Sequence, residues 1–240
     1  EAREASATEL AITEINTGLY CFDVAWLRDA LPRLEAHQHK NEVYLTDTIE
    51  LASSEGLVHV VQHEDFGEVQ GINDRWELSG ARQVLQRRIV ESHARAGVDF
   101  IHPESVVIGL EVKISADVTI GPSVVLEGTT KIGSGSQIGP FCHLQDVVVG
   151  ERVNLKSHSV CEAAVIDDDA IVGPFARLRP GSHVGFRARV GNFVEMKKST
   201  LGADAKVNHL SYIGDTTVGE GANIGAGTIT CNYDGFNKSQ

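Results

Sequence analysis

From Ile108 onward an aliphatic residue recurs every six positions: Ile108, Ile114, Ile120, Leu126, Ile132, Ile138 and Leu144. A five-residue step leads to Val149, Leu155 and Cys161, and another to Ile166, Val172, Leu178, Val184, Val190 and Met196. Further short steps carry the series through Leu201, Val207 and Ile213 to Val218, Ile224 and Thr230. A period held this long marks a solenoid, in which each unit buries its apolar residue only by stacking on its neighbours. Six residues are too few for a helix pair or a leucine-rich repeat. What remains is a parallel β-helix, with three short strands per coil and one aliphatic side chain from each strand turned to the axis. A β-sandwich with regularly spaced valines would need hairpin turns and longer strands.

Such a coil sets its own register. Residues about eighteen apart lie one above another, roughly 5 Å apart as in adjacent strands. Arg179 follows Leu178 and Lys197 follows Met196, so the two occupy one slot in successive coils. By the same logic Glu195 lies beneath Tyr212, and Asn192 beneath His209. Arg179, Lys197, Glu195 and Tyr212 are thus expected around one corner, with His209 on the adjoining face. Between Val172 and Lys198 stand Arg177, Arg179, Arg187, Arg189, Lys197 and Lys198, with Glu195 the only carboxylate. Like charges stacked one coil apart repel unless an anion offsets them. A phosphate suits arginine's fork and lysine's point charge; the plainer alternative is an exposed basic stripe paired with solvent or nearby acids.

His209 has several possible uses. A strand histidine is often an ordinary surface residue. His143, His158, His183 and His209 fall in different slots, so they offer no converging metal triad. A general base is the stronger functional option, because imidazole titrates closest to neutrality. Asn223, Asn232, Tyr233 and Lys238 sit in later units on other corners, which a site shared between packed chains would bring together. A trimer of three-sided prisms is the expected assembly. The glycines of NIGAGT read first as turn residues.

The chain before the repeat has a different character. In residues 1–75, ITEINTGLYCF and LVHVVQHE alternate like strands, VAWLRDALPRL reads as a helix start, and YLTDTIELASSEG reads as a helix closed by glycine. An α/β layer is expected there, too small to make a covered sheet. Residues 76–97 place Trp76, Leu78, Ala81, Val84, Leu85, Ile89 and Val90 at helical spacing, which suits a linker helix ending at Gly97. The net charge of −12 over 240 residues argues against nucleic acid or an anionic membrane surface as partner. No apolar run is long enough to span a bilayer. Four cysteines without a CxxC pair suggest neither a disulfide framework nor a zinc ribbon, and fit a reduced, cytoplasmic setting. The chain opens on EAREAS without an initiator methionine and stops with the repeat still running, so a piece of a longer protein is expected.

The segments GPFARLRPG (173–181), VGNFVEMKKS (190–199), HLSYIGD (209–215) and NIGAGTITCNYDG (223–235) carry a strong resemblance. In this order and spacing they resemble the bifunctional bacterial N-acetylglucosamine-1-phosphate uridyltransferase/glucosamine-1-phosphate N-acetyltransferase family, within the hexapeptide-repeat transferases. EINTG (14–18), YLTD (44–47) and GINDR (71–75) resemble the last part of its uridyltransferase domain. The resemblance implies a partial α/β nucleotidyltransferase domain over 1–75, a linker helix over 76–97 and a left-handed parallel β-helix over 98–240. It implies acetyl transfer from acetyl-CoA to glucosamine 1-phosphate, then uridylyl transfer from UTP to give UDP-N-acetylglucosamine with Mg2+, in a cytoplasmic homotrimer. His209 matches the family's general base. Arg179, Lys197 and Lys238 match sugar-phosphate contacts, Tyr212 and Asn223 match residues holding the sugar, and Glu195 matches an acid that helps position the site. Ala226, Asn232 and Tyr233 match residues near the acetyl-CoA thioester. Glu1 and Asn16 match UDP-sugar contacts, and Asn73 matches a magnesium ligand. Asn208 departs from the family, which usually has a small residue before the histidine. The nucleotide loop and second magnesium ligand would lie upstream of Glu1 and the last coils beyond Gln240, so this stretch is expected to lack uridyltransferase activity and to hold an incomplete acetyltransferase site. Another hexapeptide-repeat acyltransferase, acting on a nucleotide-linked or serine substrate, and a non-catalytic trimeric scaffold are the alternatives.

Overall fold

The aliphatic period becomes three parallel ladders. The structure, a computed structural model, describes residues 8, 11–12, 14–36, 43–231 and 235–237, Phe66 by its backbone only. It divides into two units, Glu1–Ala81 and Arg82–Gln240.

In the second unit the chain winds as a parallel β-solenoid of three-stranded coils. On the first face Phe100, Ile120, Ile138, Leu155, Val172, Val190, Val207 and Ile224 stack in register. On the second, Ile108, Leu126, Leu144, Cys161, Leu178, Met196 and Ile213 do so. On the third, the ladder is Ile114, Ile132, Val149, Ile166, Val184, Leu201 and Val218. Nearly all of these side chains are buried in one continuous core. The five-residue steps all fall where the second face turns into the third, as from Leu144 to Val149 and from Met196 to Leu201. A second buried ring stands two residues before the ladder positions and holds valine or smaller residues: Val118, Val153, Cys142, Ala170, Ala188 and Ser182 are examples. Its hydroxyls bond to backbone carbonyls, as Ser182 does to Arg179 (2.6 Å) and Ser211 to His209 (2.7 Å). Among the described residues, no buried side-chain nitrogen or oxygen lacks a partner.

Each coil turns its corners through residues with left-handed backbone, and the corners differ in chemistry. Between the first and second faces the corner carries Phe141, His158, Phe175 and Phe193 as a stack of rings 4.8 to 5.4 Å apart, followed by Leu210. Between the third and first faces it carries Arg152, Asp169, Arg187 and Asp204. Arg152 grips Asp169 through two bonds of 2.9 and 3.0 Å, and Arg187 grips Asp204 through two of 2.8 and 2.6 Å. One side chain per coil, stacked on the next, makes each corner a ladder of its own.

A helix, Arg75–Arg95, precedes the coil. Within the second unit its Ile89 and Val90 pack on the core. Its Gln86 amide donates to the Ile108 carbonyl and accepts from the Ile108 N–H, both at 2.9 Å. One carboxamide thus satisfies the bare edge of the first coil, which would otherwise present unpaired backbone groups.

The first unit holds helices Val24–Ala30, Asp47–Ser54 and Phe66–Val69. Asp23 caps the first by accepting from the Trp26 N–H, and Glu55 ties Trp26 (2.7 Å) to Arg33 (2.9 Å). The expected strands at ITEINTGLYCF and LVHVVQHE do not form: no strand precedes Asp99 among the described residues. Val60 and Val61 lie about four-fifths exposed there. Alternation supplies a strand's two faces, but a ladder also needs neighbouring strands to take its N–H and C=O groups. Among the described residues, no sheet forms before Asp99.

Candidate active site

The site is built where the first face turns into the second, on strands Arg189–Lys197 and Lys206–Gly214. Both run round the corner without a break, which joins the two faces into a single thirteen-stranded sheet. Their register pairs Asn192 with His209, Glu195 with Tyr212 and Lys197 with Gly214. One coil below, Arg177 pairs with Glu195 and Leu178 with Met196. Arg179 follows, its N–H donating to the Met196 carbonyl at 2.9 Å. Arg179, Lys197 and Gly214 thus share one column, and Arg177, Glu195 and Tyr212 the next. Two residues beyond the ladder positions Val172, Val190, Val207 and Ile224 stand Pro174, Asn192, His209 and Ala226, so Ala226 caps the His209 column.

His209 is exposed, and its Nδ1 lies 3.1 Å from Oδ1 of Asn192. Arg179 donates to Glu195 at 2.9 Å, with both side chains about two-fifths exposed. Gly214 gives room to Tyr212: a Cβ there would lie 2.6 Å from the phenol oxygen. The Tyr212 ring is therefore folded along its own strand towards the column that holds Lys197. Gly191 is tighter still, with the Asn208 carbonyl passing where its Cβ would be.

The charge count behind a bare basic stripe needs correction. Arg177 is paired with Glu162 at 2.9 Å, and Arg187 with Asp204. Both carboxylates come from neighbouring coils, outside the window in which Glu195 stood alone. A linear count cannot see partners that are adjacent only through the winding. Two of the six cations are thereby structural, and Arg179 is shared with Glu195.

Asn223 lies on the first face, in register with Lys206 and Arg189 rather than with His209. In the first unit, Asn16 accepts from the Gly18 N–H (3.0 Å) and donates to the Tyr20 hydroxyl (2.5 Å), forming a local turn. The Asn73 N–H donates to Glu77 (2.6 Å). Glu1, Asn232, Tyr233 and Lys238 lie outside the described residues. His143 pairs with Glu127, His183 with Asp167, and His158 is stacked between Phe141 and Phe175. Burial pushes the Cys142 thiol up to about 11 and raises that of Cys161 as well, so neither is a nucleophile near neutrality. Among the described residues, no three metal-ligating side chains converge, and no helix is long and apolar enough to cross a membrane.

No protein-family model matches the chain. It is 46% identical over 99% of its length to a protein of Carboxydothermus hydrogenoformans named bifunctional protein GlmU, and 47% identical over 99% to one of that name from an Anaeromyxobacter species. Those matches cover 53% and 49% of the two relatives, so the chain spans about half their length. Among solved structures, the acetyltransferase domain of PglB from Neisseria gonorrhoeae, in complex with acetyl coenzyme A, aligns over 61% of this chain and 64% of that one, at 17% identity and a TM-score of 0.29. Over the half that it spans, the chain is similar along its whole length to the bifunctional GlmU proteins.

Proposed function

We propose that this protein carries the acetyl group of acetyl-CoA onto the 2-amino group of glucosamine 1-phosphate. The observation that supports it is the meeting of His209, Asn192, Tyr212, Glu195 and Arg179 on three successive coils, in a chain similar along its length to bifunctional GlmU. Arg179 gives Glu195 one N–H and has further donors for a phosphate, beside Lys197 in the same column. Lys238 would add a contact to that phosphate, and Tyr212 and Asn223 would hold the sugar, leaving its amine at His209. As the amine nitrogen bonds to the thioester carbonyl carbon, its proton passes to the imidazole. The C–S bond then breaks, and the thiolate leaves as coenzyme A with that proton. Backbone N–H groups around Ala226 and the amide of Asn232 would receive the oxyanion, with Tyr233 beside the thioester. Holding both reactants at one corner lowers the barrier further.

The proposal extends to the whole protein as a bifunctional enzyme that next couples the product to UTP, giving UDP-N-acetylglucosamine. Residues 1–75 would then be part of a nucleotidyltransferase domain with Glu1 and Asn16 at the UDP-sugar, 76–97 a linker helix, and 98–240 a left-handed coil in a cytoplasmic homotrimer. Asn73 would be a magnesium ligand. The described residues do not by themselves fit that ion, since among them no three metal-ligating side chains converge. None of the steps above runs through it.

The test is acetyl transfer by a folded His209→Ala variant, assayed with acetyl-CoA and glucosamine 1-phosphate. Loss of the base should lower turnover by a factor of about 10²–10⁴. Unchanged turnover would refute His209 as the base, and absence of turnover in the wild type would point to a scaffold. Preference for serine or a nucleotide-linked amino sugar over glucosamine 1-phosphate would point to a different acyltransferase.

A further inference from the structure

We infer that Asn192 is the positioning residue of the site: its side-chain oxygen holds the Nδ1–H tautomer of His209 and so turns a lone pair on Nε2 towards the substrate. This rests on His209 acting as the base, and adds which nitrogen acts and why. The two residues are register partners on adjacent coils, with Oδ1 of Asn192 3.1 Å from Nδ1 of His209. Among the described residues of their column the flanking side chains are apolar, Pro174 below Asn192 and Ala226 above His209. The neighbouring charges are engaged or displaced. Glu195 is bonded to Arg179 and Arg177 to Glu162, while Arg189 and Lys206 stand three residues back on the first face. An imidazole whose Nδ1 donates to a fixed acceptor presents Nε2 as its only basic atom.

The choice of an amide has chemical content. His143 and His183 are also held from the coil below, but by carboxylates, Glu127 and Asp167, each at 2.8 Å. A carboxylate partner would favour the imidazolium and leave less free base at neutral pH. The neutral Asn192 oxygen orients the ring without that bias. It still accepts from the imidazolium formed when a proton arrives, so the bond persists through the transfer.

Two measurements test this. The first is the ¹⁵N spectrum of the histidine-labelled protein at mildly alkaline pH, with the His209 signal assigned by its loss in His209→Gln. A protonated Nδ1 in the wild type, shifting towards a tautomer mixture in Asn192→Leu, is expected. A protonated Nε2 in the wild type, or a spectrum indifferent to Asn192→Leu, overturns the assignment. The second is the pH profile of acetyl transfer. Asn192→Leu should lower the plateau kcat by about tenfold at every pH, with KM for glucosamine 1-phosphate within about twofold of the wild type. Asn192→Asp keeps an acceptor, so it should move the acid limb of kcat/KM up by about one pH unit and recover the plateau above it. A leucine variant with the wild-type plateau, or an aspartate variant with an unmoved limb, overturns the role. The two readings fail separately: full turnover by His209→Ala would refute the base, whereas the nitrogen spectrum reports the Asn192 contact without turnover.

Discussion

Gly191 provides the sharpest test of how the corner beneath His209 is built. The backbone of the next coil passes directly over it: a Cβ on Gly191 would overlap the Asn208 carbonyl oxygen and lie 2.5 Å from its carbon. Non-bonded carbons settle at about 3.5–4.0 Å, so the coil above would have to move outward by more than about 1 Å. The obstacle is main chain, and no rotamer change relieves it. The pairs on either side, Val190 with Val207 and Asn192 with His209, would be pulled apart together. Overpacking of this kind costs about 1–3 kcal/mol and sometimes more. Replacing a strand glycine by alanine returns roughly 0.5–1 kcal/mol of chain entropy. Gly191→Ala should therefore lose about 2 kcal/mol. A urea titration followed by circular dichroism should show a midpoint lower by roughly 0.7–1 M at unchanged slope. Gly225, two coils further along the same column, is the control, because a Cβ there meets nothing within 4 Å. Gly225→Ala should match the wild type or gain up to about 1 kcal/mol. A Gly191→Ala protein with the wild-type midpoint, or equal losses at both sites, would refute the steric reasoning.

Two pH dependences follow from the same architecture. Burial raises the folded pKa of Cys142 to about 11 and also raises that of Cys161, so their contribution is complete below the ordinary thiol value and falls as pH rises from about 9 towards 11. Each thiol should cost up to about 1.4 kcal/mol per pH unit in that window; a C142V/C161V double variant in alkaline urea titrations should lose the slope, and an unchanged slope would show that the thiols do not titrate on unfolding. At the charged corner the Arg152 guanidinium holds Asp169, and Arg187 holds Asp204, below the usual carboxylate range. These depressed values make the stabilisation present above the ordinary aspartate pKa and lost as pH falls through the folded one. Acid unfolding of Asp204→Asn should accordingly be shallower in pH than that of the wild type; coincident profiles would mean that the ladder contributes nothing.

The residues before the coil show where pattern reading stops. VAWLRDALPRL and YLTDTIELASSEG do become helices, Val24–Ala30 and Asp47–Ser54, because a helix satisfies its own backbone bonds locally. ITEINTGLYCF and LVHVVQHE do not become strands, because a strand's bonds belong to another segment.

By itself, the sequence determined the coil. A period of six with occasional five-residue steps fixes which side chains face the axis and which residues lie one coil apart, because in a solenoid translation along the chain is translation along the axis. That is why Asn192 under His209 and Glu195 under Tyr212 could be placed from spacing alone. Only the tertiary structure decided what those neighbours do. Whether Asn192 turns its oxygen to the imidazole, whether Tyr212 folds over Gly214, and whether Arg177 and Arg187 find acids on other coils depend on rotamers and distances of a few tenths of an ångström. A repeat specifies positions. The chemistry at each position is set by side chains that meet across coils, and the linear order separates those partners by fifteen to seventeen residues.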